Sequence, residues 1–187
     1  LFQMHHNTRV KHYHPMVVGG DELWRDYTMT VKFMPELYEG RSGAVVRYHN
    51  DRCNYFVGVD GPVAMIKLVN HDASFRIPNE KILVSKPFSW KPGDEVTAVI
   101  TVNGSRIEAT INGSLKLAVE DATFPQGRIA LVADAPTTFL SARVTASSGE
   151  KSRVAKARAK IVAEEKALQA ATPKAVLWKK FKTDGFG

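Results

Sequence analysis

The sequence predicts an all-β chain: one antiparallel two-sheet β-sandwich of the jelly-roll kind, with a C-terminal linker helix and a terminal strand. Three observations carry this. From Leu23 onward, short β-prone runs punctuated by Gly, Pro, Asn and Asp recur about every 8–12 residues, the spacing of sandwiches and barrels. Helical periodicity is nearly absent before Ser147. Two Asn-Gly dipeptides, Asn103-Gly104 and Asn112-Gly113, separate such runs where tight hairpins turn.

The first strand is Tyr27–Phe33, which alternates apolar and polar residues and stops at Pro35. Gly43–His49 follows and turns at Asn50-Asp51; Tyr55–Val59 ends at Asp60-Gly61-Pro62. Val63–Val69 and the shorter Lys81–Val84 continue the series. Glu95–Asn103, Arg106–Ile111 and Ser114–Val119 form two consecutive hairpins, expected to turn as type I′ on their Asn-Gly pairs. Gly127–Ala133, where Gly127 marks a close backbone approach, and Phe139–Thr145 complete about ten strands.

At Ser147 the composition changes. Ser147-Ser-Gly-Glu150 reads as a capping box, and about 20 residues rich in Ala, Lys, Arg and Glu follow it as a helix. Val154, Ile161 and Leu168 recur every seventh residue, with Ala157 and Ala171 nearby, as a stripe that needs a partner surface. Thr172-Pro173 ends the helix, because the residue before proline avoids the α region. Val176–Phe181 then reads as a new strand.

The organisation expected is therefore an extension over 1–22, the sandwich over 23–146, a linker helix over 147–172, and the start of a following domain over 173–187. Leu1 in place of Met and the late strand suggest a piece of a longer protein. Of the 187 residues, 44% are hydrophobic and 24% charged, and no apolar run approaches the roughly 18 residues of a membrane-spanning helix. The net charge of +7 raises the question of nucleic acid, but its location answers it. Residues 1–149 carry 16 Lys and Arg against 15 Asp and Glu, and residues 150–187 carry 10 against 4. The sandwich is nearly neutral, so neither nucleic acid nor membrane is expected as a partner. The single cysteine, Cys53, reads as a free thiol in a turn.

An ordered series of segments resembles one superfamily. Ser42-Gly-Ala-Val-Val-Arg47, Asn54-Tyr55, Trp90-Lys-Pro-Gly93, Val102-Asn-Gly104, Ile111-Asn-Gly113, Phe124-Pro-Gln-Gly-Arg-Ile129 and Phe139-Leu-Ser-Ala-Arg-Val144 resemble the concanavalin-like lectin/glucanase superfamily, laminin-G-like modules in particular. With the helix and the Gly-Phe-Gly end, the chain is similar to the front part of bacterial polysaccharide-degrading enzymes, rhamnogalacturonan-lyase-like proteins included. The resemblance implies a non-catalytic carbohydrate-binding or accessory module, with a polysaccharide or oligosaccharide and the protein's own C-terminal domain as partners. It also implies a periplasmic or extracellular location. Calcium is common in this superfamily, but Leu140-Ser141-Ala142 stands where an acidic stretch would hold it.

The candidate site residues follow from chemistry. Sugar recognition uses rings that stack on the pyranose face and polar groups for the hydroxyls. Trp24, Tyr48, Tyr55 and Trp90 are the available rings, and Trp90, in the loop Pro87–Pro92, serves either to stack on a sugar or to pack the sandwich edge. A lyase would need a neutralising cation and a base. Strand alternation sets Arg47 and His49 on one face, opposite Tyr48, with Tyr55 opening the paired strand, so an Arg47/His49/Tyr55 cluster serves a lyase or hydrolase or is a plain polar face. No facing carboxylate pair stands out for a hydrolase: Glu108 is isolated between Arg106 and Thr110, and Glu120-Asp121 lies at a strand end. His12 and His14, on one side of an extended segment behind His5-His6, make a conceivable metal site. A purely structural spacer is the third reading.

Overall fold

The computed structural model describes residues 2–3, 15–71 and 79–171. The strands are β1 (Phe2–Gln3), β2 (Met16–Gly19), β3 (Tyr27–Pro35), β4 (Ser42–Asn50), β5 (Cys53–Asp60), β6 (Val63–Asn70), β7 (Glu80–Pro87), β8 (Val96–Asn103), β9 (Arg106–Ile111), β10 (Leu115–Glu120), β11 (Arg128–Ala133) and β12 (Thr137–Thr145). Helix α1 spans Ser148–Ala171. They form two six-stranded sheets, ordered β1-β12-β3-β8-β9-β10 and β2-β11-β4-β5-β6-β7, with every pairing antiparallel. Ahead of Leu23, β2 pairs with β11 and β1 with β12, so strand pairing reaches into the segment expected as an extension. The expected strand Val176–Phe181 and the His12/His14 pair lie outside the described residues.

Period-two alternation builds the core. Tyr27, Met29, Val31 and Phe33 of β3, Val96, Ala98, Ile100 and Val102 of β8, and Ile107, Ala109 and Ile111 of β9 face inward onto Ala44, Val46, Tyr55, Val57 and Ile66 of the other sheet. Removing a side chain such as Phe33 from water contributes roughly 1.5–3 kcal/mol. The outward positions of the first sheet are mostly polar, among them Thr28, Thr30, Lys32, Thr97, Thr101, Glu108 and Lys116, with Val99 and Leu140 as exposed apolar exceptions.

The central strands of the second sheet are buried on both sides, whereas its edge strands β2 and β7 are largely exposed. Val45, Phe56, Met65, Ala130 and Val132 form an apolar layer on its far face, and Arg41 lies 5.5 Å over the Phe56 ring. Arg41 meets Asp134 at 3.1 Å and Glu80 at 3.7 Å, and Glu80 also pairs with Lys67 at 3.1 Å. Double-sided burial explains why β4 and β5 read as near-continuous apolar runs. Cys53 is the buried first residue of β5 instead of a turn residue.

Two local geometries position the site. The first hairpin turns on Gly104-Ser105, one residue later than the Asn-Gly reading, because Asn103 pairs with Arg106. Gly104, at φ 56°, then occupies the first loop position, as a type II′ turn requires. The second hairpin uses a three-residue loop, with Asn112 and Gly113 at φ 47° and 72°. In β4, three residue steps separate Val45 from Tyr48 where β11 takes two from Ala130 to Arg128, which makes a bulge. Arg47 sits in it at φ 50°.

Among the described residues no helix is long and apolar enough to cross a membrane. Nor do three His, Cys, Asp or Glu side chains there come together to hold a metal ion.

Candidate functional site

The bulge turns Arg47 into the sandwich, where it is fully buried. Its backbone N–H donates to the Tyr27 hydroxyl at 3.2 Å, and its Nη2 donates to the Gly104 carbonyl. Its Nε–H and Nη1–H have no hydrogen-bond partner. Desolvation lowers its pKa, and the nearby Tyr55, Tyr27, Asp26 and Asp121 act in the opposite direction. Gly127 makes the close approach possible: a Cβ there would come within 2.6 Å of the Arg47 carbonyl carbon.

Tyr55 is also fully buried, and its hydroxyl donates to Asp121 Oδ1 at 2.5 Å while accepting the Phe124 N–H at 3.2 Å. Burial first, and the Asp121 carboxylate second, push the phenol up to about 12, so it keeps its proton through the neutral range. Burial opposes ionisation of Asp121, but hydrogen bonds from Tyr55 and Thr123 hold its pKa below the ordinary carboxylate value. His49 is exposed; its Nε2 donates to the Gln126 carbonyl at 2.9 Å and its ring lies 5.1 Å from Phe124. Phe124 meets Tyr55 edge-on at 5.6 Å, so His49 and Tyr55 flank one ring, while Arg47 lies within the field of Tyr55.

Above this cluster, three loops enclose a depression of about 340 Å³ lined by Arg25, Asp26, Gly104, Ser105, Ala122 and Pro125. Hydrogen bonds lace the loops together. Asp26 Oδ1 accepts the Gly104 N–H at 2.8 Å, Ser105 O accepts the Asp121 N–H at 2.9 Å, and Arg25 Nε donates to Gln126 Oε1 at 3.1 Å. The lining has an apolar part, Ala122 and Pro125, and a polar part, Arg25, Asp26 and Ser105.

Trp90 lies at the opposite end, roughly 25 Å away along β8 at about 3.3 Å per residue. It is 7% exposed, its Nε1–H donates to the Gly61 carbonyl at 2.8 Å, and its ring backs Tyr38 at 5.1 Å. Tyr38, at 40% exposed, is the ring that reaches solvent there. Of the acids weighed for hydrolysis, Glu108 and Glu120 are ion-paired at the surface, where Arg106 meets them at 2.7 Å and 3.6 Å, and Asp121 is taken up by the Tyr55 hydroxyl. The outward positions of β3, β8, β9 and β10 carry no aromatic side chain.

The structure thus brings Arg47, Tyr55 and His49 to one end and leaves Trp90 at the other. The sequence reading missed Arg25, Asp26 and Ser105, which line the depression. Asp26, ahead of the first alternating strand, and Ser105, behind Gly104, were visible as turn-type residues, but nothing local tied them together.

No protein-family model matches the sequence, and no curated protein matches it. Solved structures do. The carbohydrate-binding module CBM66 from Bacillus subtilis is similar at 16% identity and a TM-score of 0.56, over 65% of this chain and 76% of that one. The Aspergillus kawachii beta-fructofuranosidase complexed with glycerol is similar at 11% identity and a TM-score of 0.55, over 73% of this chain and 26% of that one. Chicken Galectin 2 matches at 12% identity and a TM-score of 0.50, over 65% of this chain and 92% of that one. The fold is the concanavalin-like jelly-roll sandwich. The chain corresponds to about a quarter of the fungal enzyme's length.

Proposed function

We propose, with the concanavalin-like jelly-roll as premise, that the chain is a non-catalytic carbohydrate-binding module that takes a neutral sugar unit in the depression between Arg25, Asp26, Ser105, Ala122 and Pro125. One observation carries the reading: a solvent-open pocket of about 340 Å³ whose three lining loops are joined by hydrogen bonds, with polar groups beside an apolar patch. That volume falls within the roughly 300–1,000 Å³ of small-molecule sites, and a preformed pocket avoids the cost of ordering loops on binding. Charges around it balance, with Arg25 and Arg47 against Asp26 and Asp121, which favours an uncharged sugar over a uronic acid. The fold shared with a carbohydrate-binding module supports the class of ligand. We further propose that the module serves a polysaccharide-degrading enzyme outside the cytoplasm, as the sequence resemblance implied.

The buried Arg47 and Tyr55 act here as the foundation of the pocket. Tyr55 holds its proton and is closed to solvent, so proton abstraction from a substrate has no support in this arrangement. Calorimetric titration with neutral fructo-, gluco- and xylo-oligosaccharides and with a uronic-acid oligomer tests the reading. One of the neutral sugars is expected to bind, and Arg25→Ala and Ser105→Ala are each expected to weaken it about tenfold, whereas Tyr38→Ala leaves it unchanged. Binding of none of these sugars, or binding that survives the Arg25/Ser105 double variant, would overturn it.

A further inference from the structure

We infer that helix α1 is the positioning element of this pocket, with Glu150 as the residue through which the helix sets the rim. The segment between β2 and β3 lines the pocket with Arg25 and Asp26, yet belongs to no regular structure. Its backbone groups must find partners elsewhere, and three of them find α1. Glu150 Oε1 accepts the N–H of Arg25 at 2.9 Å and of Asp26 at 3.4 Å, and Arg153 Nη2 donates to the Leu23 carbonyl. Glu150 is only 5% exposed and is gripped by both Nε and Nη2 of Arg153 at 2.7 Å. One turn further along, Arg158 holds Asp21 at 2.7 Å, and Asp21 accepts the Leu23 N–H at 2.9 Å.

The connection continues into the site. Asp26, whose own N–H is fixed by Glu150, fixes the Gly104 N–H on the facing hairpin, and Gly104 receives the Arg47 guanidinium. Helix, rim, hairpin and buried cation therefore form one hydrogen-bonded series. Undocking the helix releases Arg25 and Asp26, and with them the contact that keeps the two rims at their spacing. Occupying the pocket in turn favours the docked helix, because linkage between two sites is reciprocal. Beyond Ile161 every helix residue is exposed, so whatever engages the far end of α1 acts on the rim through Glu150, Arg153 and Arg158, of which Glu150 alone holds the pocket-lining Arg25 and Asp26.

The sugar arm of the test rests on the proposed function; the wiring arm does not. Residue-resolved amide exchange on the full chain reads the wiring. In Glu150→Ala, exchange at Arg25, Asp26 and Gly104 is expected to accelerate at least tenfold while the central β8 amides keep their rates. An unchanged Gly104 rate overturns the inference whether or not any sugar binds. In Glu150→Gln, whose amide oxygen still accepts from the two rim N–H groups, at least half of the lost Gly104 protection is expected to return. No recovery would assign the effect to a broken buried ion pair and overturn the positioning role. With a fructo-oligosaccharide trimer as probe, wild-type binding that falls about tenfold in Glu150→Ala supports the coupling, and equal affinity in the two overturns it. If wild type ignores the trimer and every other sugar tried while Gly104 loosens, the carbohydrate reading fails and the wiring stands.

Discussion

Gly127 and Arg47 illustrate how much of the site is decided by single residues. With φ at 152° and the Arg47 backbone 2.6 Å from a hypothetical Cβ, Gly127→Ala forces β11 and β4 apart at the bulge. The expected cost is about 2 kcal/mol or more, read as a lower urea midpoint with an unchanged slope. Tyr55→Phe removes the hydroxyl that joins Asp121 to the Phe124 N–H and is expected to cost about 1–2 kcal/mol in the same measurement. Trp90→Ala empties a packed position under Tyr38 and orphans the Gly61 carbonyl, so a loss of about 3–5 kcal/mol is expected, with sugar affinity preserved in the fraction that stays folded. The sequence made these residues conspicuous for different reasons. Gly127 stood out for its place before a strand. Arg47 stood out as a polar residue in an apolar run, but nothing local announced a left-handed arginine, since its φ is imposed by Tyr27, Gly104 and Gly127 from distant parts of the chain.

At the level of elements, local rules were sufficient where structure is periodic and failed where it is not. Ten strands were readable because alternation and turn residues act within a few positions. The N-cap was readable for the same reason: Ser147 Oγ accepts the Glu150 N–H at 3.0 Å, although the Glu150 carboxylate, expected to return to Ser147, goes to Arg25, Asp26 and Arg153. What α1 does next was not. A stripe of Val154, Ile161 and Leu168 suggested apolar docking, yet Leu168 is 69% exposed and the helix is fastened by Glu150, Arg153 and Arg158. The pocket stayed hidden for a related reason, because Arg25-Asp26, Gly104-Ser105 and Ala122–Pro125 come from three aperiodic connections that only the folded sheets bring together. The clamp has a signature in acid. Hydrogen bonds from Arg153, opposed by burial and aided by the Arg25 and Asp26 N–H groups, bring Glu150 down to about 2 from 4.5. A carboxylate depressed on folding stabilises fully above its unfolded pKa and loses that stabilisation as pH falls through its folded one. The contribution, about 2–3 kcal/mol after allowance for screening, is therefore expected to fade between about pH 4.5 and 2. Urea unfolding across that range should show a slope that Glu150→Gln reduces, the depressed Asp21 and Asp121 carboxylates supplying the remainder.

Over the whole molecule, the sheets join segments far apart in sequence: β3 pairs with both β8 and β12, and β4 with β11. Closing such long loops before any strand is rewarded slows folding, so refolding from urea is expected on the millisecond-to-second scale typical of all-β sandwiches. Stopped-flow fluorescence would measure it. The architecture also allocates its surfaces. One sheet face carries a second apolar layer beside Arg41, the other is a mostly polar expanse of threonines and charges, and the loops at one end converge on a pocket.

The β4 bulge has a meaning in the language of genes as well as of backbones. Measured against β11, Arg47 is one residue more than the ladder needs. Loss of that single codon would leave Val46 facing in and Tyr48 facing out, each in phase with its neighbours on β11. It would also delete the positive charge beneath the pocket, together with the hydrogen bonds that Arg47 makes to Tyr27 and Gly104. One in-frame deletion would therefore close the β11 ladder and remove the base of the pocket in a single step.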